Sequence, residues 1–359
     1  MKKILLNPWT ALITLTILVT IRFLDPSFVQ SVRLRYFDEV ITTQPKVDVP
    51  IHTVNIDEDR LEKMGQWPFP RIQYAEIIRD LYRREAGLVV FNVLMPEADR
   101  FKQDPELARA MKEHPIILPA LGAMKARNEP SASRVQRVGQ DPEGKVVEYP
   151  GLVSSVKTIA DQAAGVGIVN TFPEIDGVVR RMPLVIASQG ELHPAMALET
   201  LRVAAQDPRV QVKIGDIGVE ALRVPKFGRI ETDSLSRIWI DWAAEPKQHS
   251  LASLPDSFKG EIVIVGLSAA GLANPVATAR GEVWPHYLQG AVLGTMTTQS
   301  HIQRPGWADG AEVIAIALLG ILVISMARWV YVGIGFYIVV ACGIVGGSLY
   351  AFGHYKYLV

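Results

Sequence analysis

Residues 54–71 read VNIDEDRLEKMGQWPFPR, and this stretch decides how the rest of the chain is parsed. The apolar, β-prone run Ile51 to Ile56 predicts a buried strand. The acidic run Asp57, Glu58, Asp59 follows at its carboxyl end, and a loop holding Trp67, Pro68, Phe69, Pro70 and Arg71 leads into a helix. Ligands of open α/β sheets gather outside the carboxyl ends of strands, so acids, an aromatic and a cation placed there outline a pocket edge. A structural reading stands beside it. In that reading Asp57 caps a short helix over 60–64 that Gly65 ends, the two prolines stiffen the loop, and Trp67 fills core.

Working outward, strand-like runs alternate with helical periods. A helix is expected over 72–84, with Ile77, Ile78 and Leu81 on one face. Another apolar run follows at 88–94, then a helix at 105–113 and a strand at 116–121. This βαβαβ rhythm predicts a sheet with parallel strands, covered on both faces. Residues 125–151 are polar and read as a long excursion. Beyond them the pattern predicts helices over 154–164 and 193–206 and a strand over 178–187. Strands around turns follow at 219–224 and 237–242, and a last buried strand runs from 261 to 267. The fold class expected is α/β, a mixed but mainly parallel sheet with helices on both faces, plus three transmembrane helices.

The ends of the chain carry the membrane signal. Lys2 and Lys3 precede an apolar run from Ile4 to Leu24, and two more apolar runs, 312–329 and 330–352, meet at Arg328. About 20 apolar residues cross a bilayer, and Lys and Arg tend to stay cytoplasmic. The expected plan is an N-terminal anchor over 1–24, an extracytoplasmic domain over 25–305 and two spans over 312–329 and 330–352, leaving the C-terminus outside. Gly343, Gly346 and Gly347 permit close helix packing, which is compatible with a homodimer through the membrane helices.

Composition removes several classes. Among 359 residues, Lys plus Arg equals Asp plus Glu at 37 each, so no basic field points to nucleic acid. The single cysteine, Cys342, cannot form an internal disulfide. The seven histidines show no H-x-H, H-x-x-H or H-x-x-x-H spacing, and Asp57 with Asp59 lacks the rest of a calcium loop, so no metal or cofactor is expected. Gly266-Leu267-Ser268 evokes a nucleophile turn, but Ala270 stands where that pattern requires glycine. In Asp176-Gly177-Val178-Val179-Arg180-Arg181 the two arginines point to opposite faces of a strand. An inward Arg180 needs a carboxylate, for which Glu97, Asp99 and Asp57 are chemically suitable.

A strand ending in Ile-Asp, followed by L-x-x-x-G-x-W-P-x-P-R, resembles the start of the type 2 CHASE domain. That module is an extracytoplasmic sensor attached to bacterial cyclases, histidine kinases and serine/threonine kinases. Three further stretches resemble the family in order: FNVLMPEADR at 91–100, DGVVRRMP at 176–183 and EIVIVGLSAA at 261–270. The resemblance covers roughly residues 33 to 305. Asn92 replaces an aspartate that the family tends to have, and Asn274, Pro275, Thr278 and Ala279 replace an aspartate and a threonine-proline. The resemblance implies a multi-pass inner-membrane sensor with a periplasmic domain. Its stimulus would pass through the membrane helices to a cytoplasmic cyclase or kinase outside this chain, and the chain itself would not be an enzyme. The residues expected to form one ligand-binding or structural cluster are Asp57, Trp67, Arg71, Glu97, Asp99 and Arg180. A periplasmic hydrolase using Ser268 or the acidic run, and an envelope scaffold, are the alternatives.

Overall fold

The computed structural model describes residues 8–65, 67–130, 134–300, 302–326 and 330–359; within these, the side chains of 8, 323, 326 and 330–338 are not described. Lys2, Lys3 and Arg328, on which the expected orientation rests, lie outside the described residues. Ten helices are labelled in chain order: α1 (Pro8–Leu24), α2 (Ser27–Thr42), α3 (Glu58–Met64), α4 (Arg71–Arg83), α5 (Asp104–Glu113), α6 (Lys157–Ala160), α7 (Met196–Ala204), α8 (Pro285–Thr297), α9 (Ala308–Met326) and α10 (Val330–Tyr355). The chain separates into two compact units, one of residues 1–43 with 301–359 and the other of residues 44–300.

The larger unit is built on a seven-stranded sheet of β1 (Ile51–Ile56), β2 (Leu88–Asn92), β3 (Ile116–Ala123), β4 (Gly151–Ser154), β5 (Gly165–Ile168), β6 (Lys247–Ser250) and β7 (Ile262–Leu267). The order is β6-β1-β7-β2-β3-β4, with β5 also on β3. The β1–β6, β1–β7, β7–β2, β2–β3 and β3–β5 ladders are parallel, and β3–β4 is antiparallel. Smaller sheets add both kinds: Val210–Ile214 runs antiparallel to Val219–Val224 and parallel to Val135–Gly139. The fold is therefore mixed α/β, and pairing over the whole chain is mixed as well.

Strand alternation explains how the sheet is covered. Val54, Ile56, Val89, Phe91, Val263 and Val265 point to one face and join Tyr74, Ile77, Ile78 and Leu81 of α4 and Leu107 and Met111 of α5 in one core. The intervening positions meet α8 on the other face, where Asn55 contacts His286 and a Cβ on Gly290 would lie 3.3 Å from Thr53. Burying both faces requires the near-continuous apolar runs seen in β1, β2 and β7.

Several expected boundaries shift. The helix over 154–164 shrinks to α6, because 151–154 pair with β3 instead. The strand over 178–187 divides into Arg181–Pro183 and Val185–Ser188, which pair with different partners. The helix expected from 193 begins at Met196, since His193 and Pro194 close a hairpin with Ile186 and Val185. The polar excursion of 125–151 contains two strands, Val135–Gly139 and Val147–Tyr149.

The smaller unit does not by itself show the three spans expected from the sequence. Among the described residues no single helix is long and apolar enough to cross a membrane; α1 with α2 passes the test only as a pair bent by 75°. The described part of α1 is 17 residues, short of the ~20 a bilayer needs, and α9 begins with Asp309 and Glu312, which shorten its apolar stretch.

Candidate functional site

The motif stretches at 54–71, 91–100 and 261–270 meet at the carboxyl edge of the central sheet. Asp57 caps α3, its Oδ1 accepting the Arg60 amide at 3.2 Å, and Gly65 ends that helix with φ +88°. A left-handed residue at that position favours glycine. Glu58 turns the other way and accepts the Ala270 amide at 2.7 Å, so the acidic run stitches β1 to the loop after β7.

The cis Trp67–Pro68 peptide and Pro70 then deliver Arg71 as the first residue of α4. Arg71 is 7% exposed. Its Nε donates to Asp104 Oδ1 at 3.1 Å and its Nη2 to the Glu97 carbonyl at 2.9 Å. The second oxygen of Asp104 accepts the Asp99 amide at 3.0 Å. Asp99 Oδ2 in turn accepts the Phe101 and Gln103 amides at 3.2 and 3.0 Å, which folds the loop ahead of α5. Gln103 completes the circuit: its Oε1 accepts the Ile72 amide at 3.2 Å, supplying a cap that Pro70 cannot. The starts of α4 and α5 thus hold each other through side chains.

These elements enclose a cleft of about 310 Å³ whose walls include Trp67, Phe69, Tyr74, Met95, Glu97 and Arg100. Trp67 meets Phe69 and Tyr74 edge-on at 5.2 and 6.2 Å, and Tyr74 meets Phe91 at 5.4 Å. Such pairs contribute about 0.5–1.5 kcal/mol each beyond burial, which makes this wall rigid. Tyr74 is fully buried, and its hydroxyl makes no hydrogen bond of ordinary geometry. Burial pushes its phenol well above the usual range, while the Arg71 charge and the neighbouring Phe69 amide pull the other way.

Of the residues expected to cluster, Trp67, Arg71, Glu97 and Asp99 line this cleft. Asp57 and Arg180 do not. Arg180, 2% exposed, grips Asp176 with two 2.7 Å hydrogen bonds across the Asp176-Gly177 turn, a local carboxylate that was not among the three anticipated for it. That grip holds the Asp176 carboxyl below its ordinary value. Glu97 faces Arg127 at 3.2 Å. Sequence reasoning missed Asp104, Gln103, Tyr74 and Arg100. The available signal was positional: Asp104 precedes Pro105 at a helix start, and Tyr74 lies one helical turn from Arg71, on the same face.

Ser268 is buried at 7% exposure after β7. His286, packed against the same strand, donates from Nε2 to Asn55 Oδ1 at 2.6 Å. Complete burial pulls its pKa down to about 3, too low for a base at neutral pH. Among the described residues no group of three or more His, Cys, Asp or Glu is arranged to hold a metal ion.

The larger unit is a mixed α/β domain with a lined cleft at the strand ends of its central sheet. The sequence pattern of the CHASE2 domain matches residues 12–326, and the chain belongs to that family of extracytoplasmic sensory domains. No curated protein and no solved structure matches the chain.

Proposed function

We propose that the chain is a membrane-anchored periplasmic sensor whose domain is held at both ends by membrane helices. These helices pass a stimulus to a cytoplasmic cyclase or kinase. Family membership supports the sensory part. The anchoring rests on one observation within the smaller unit: after α9 and α10 the chain comes back to where α9 set out. Gln303 donates its amide to the Lys356 carbonyl at 3.1 Å, Leu358 donates to the Gln303 carbonyl at 2.9 Å, and Arg304 Nη1 donates to the Leu358 carbonyl at 3.1 Å. A helical hairpin that leaves and returns to one level is the geometry of two crossings. With the apolar run 4–24, whose first residues lie outside the described part of α1, it makes three.

The charges at that level are neutralised in place. Arg22 Nη2 lies 2.5 Å from Asp309 and 2.7 Å from Glu312, and Arg304 Nη2 lies 2.7 Å from each of the same two carboxylates. Ionisable groups near a bilayer are costly unless paired, and two arginines facing two acids meet that condition. The cluster also ties the N-terminal helix to the C-terminal hairpin, so displacement of one is felt by the other. A hydrolase is disfavoured because the histidine packed beside the Ser268 strand is committed to Asn55.

Thiol labelling tests the reading. In a Cys342→Ala background carrying His354→Cys, a membrane-impermeant reagent should label intact cells, since His354 is exposed at the end of α10. Labelling only after cell breakage would refute the three-crossing arrangement.

A further inference from the structure

Two histidines join the edge strand of the central sheet to its neighbour. Nδ1 of His52 in β1 lies 2.8 Å from Nε2 of His249 in β6, and the Glu261 carboxylate ahead of β7 accepts from His52 Nε2 at 2.5 Å. The two rings stack with centres 5.1 Å apart, and Phe258 meets both edge-on at 5.1 and 5.9 Å. The other charges around the pair are accounted for. Lys247, two residues before His249, pairs with Asp48 at 2.9 Å. Arg84, after α4, donates to Asp80 and to the Pro255 carbonyl, Glu85 accepts from Ser257, and Asp256 and Lys259 are exposed. Strand β6 itself is weakly held. It ends the strand order with one ladder, to β1, and none of its four residues is buried. Yet β6 and the residues before it clasp the segment by which the chain enters the domain from α2. Lys46 pairs with Glu245 at 2.7 Å, the Val47 amide donates to the Ala243 carbonyl at 2.8 Å, and Asp48 pairs with Lys247.

We infer that the His52–His249 pair is a proton sensor: it holds β6 against β1 at neutral pH, and its double protonation frees β6 and the entry segment 46–48. The hydrogen count carries this. Two ring nitrogens facing each other need one hydrogen between them. With both rings neutral, His249 donates to His52, whose other nitrogen donates to Glu261. A first added proton is accommodated, because His52 becomes an imidazolium between the Glu261 carboxylate and an accepting His249. A second proton sets two N–H groups and two positive charges face to face, and the contact must break. Burial, the His52 ring and Lys247 hold His249 below its ordinary 6.5 while the strand is closed. Opening restores the ordinary value, so it takes up a proton. The closed form is fully favoured above pH 6.5 and loses ground as pH falls from there toward the folded value, by up to about tenfold in the opening equilibrium per pH unit. The inference deepens the sensory reading by naming the proton as the stimulus. It rests on that reading only for its consequence, since opening of β6 is measured apart from membrane topology.

The test is hydrogen–deuterium exchange of the full chain in detergent, read by mass spectrometry between about pH 8 and about pH 4.5 and corrected for intrinsic exchange rates. Peptides covering 44–50 and 246–252 should lose protection at least about tenfold over that range, while a peptide covering β2 keeps its own. His249→Gln still offers His52 a side-chain donor but takes up no proton. Its two peptides should change by less than about twofold, and because His249 is only half-buried the fold should hold. Glu261→Gln is the second variant. It removes the charge that favours a proton on His52, so the loss of protection should move to lower pH. Wild-type protection that ignores pH, a loss shared equally by β2, a wild-type loss in His249→Gln, or an unmoved transition in Glu261→Gln would overturn the assignment. The expected exchange pattern together with failed labelling at position 354 would leave the proton sensor standing and remove the three-span arrangement alone.

Discussion

Arg71 Nε and Asp104 Oδ1 lie 3.1 Å apart, joining the first residues of two helices 33 positions apart in sequence. Both side chains are mostly shielded from solvent, at 8% and 12% exposure. Removing one partner of such a pair leaves a shielded charge uncompensated, which costs far more than the pair itself contributes. Asp104→Ala should therefore destabilise the chain by about 3–5 kcal/mol. Asp104→Asn keeps an acceptor and should cost less. Denaturant unfolding followed by tryptophan fluorescence checks this, and equal losses for the two variants would contradict it.

His286 gives a pH prediction. Its folded pKa of about 3 lies below the ordinary 6.5, so the unfolded chain takes up the proton first as pH falls. Stability is fully present above pH 6.5 and is lost as pH drops from there toward 3. The limiting slope for one proton is about 1.4 kcal/mol per pH unit. In His286→Gln the slope between pH 6 and pH 4.5 should be shallower than wild type by about one proton. Parallel slopes would show that His286 is not the group responsible.

Asp176 acts at lower pH. Hydrogen bonds from Arg180 lower its pKa beneath the ordinary 3.8, so its contribution is complete above 3.8 and disappears as pH falls through the folded value. Asp176→Asn should cost about 2–4 kcal/mol at neutral pH, because it removes the carboxylate that a buried arginine grips. That deficit should narrow below pH 3.8. A deficit constant with pH would point to packing as the cause.

Gly266 makes a steric prediction. A Cβ there would sit 2.3 Å from Cγ of the His286 ring, and the ring is fixed by Asn55. Gly266→Ala should cost about 1–3 kcal/mol through displacement of α8. The Gly266→Ala, His286→Ala double variant should recover part of that loss. Additive losses in a double-mutant cycle would show that the two positions do not touch.

The particular residues show where sequence was enough. Asp57 as a cap and Gly65 as a stop were legible because each acts within one turn of its own position. So were β1, β2 and β7, whose apolar runs report burial on two faces. The gathering of Trp67, Arg71, Glu97 and Asp99 at one edge was readable from a general property of parallel strands, which deliver their ends to the same side. Arg180 grips Asp176, four residues away, a partner the sequence reading did not weigh, because residue type alone does not rank partners.

By itself, then, the sequence determined the elements that depend on neighbours along the chain: the strand runs, the caps, the α/β rhythm and the apolar ends. Tertiary structure alone decided the rest. It placed the last strand of the sheet between the first two, set His286 against Gly266, gave Arg71 to Asp104, and left the Tyr74 hydroxyl with no acceptor. Periodicity along one dimension records which face of an element is buried. Which groups come within 3 Å across the fold depends on strand order and helix packing, and neither leaves a local pattern.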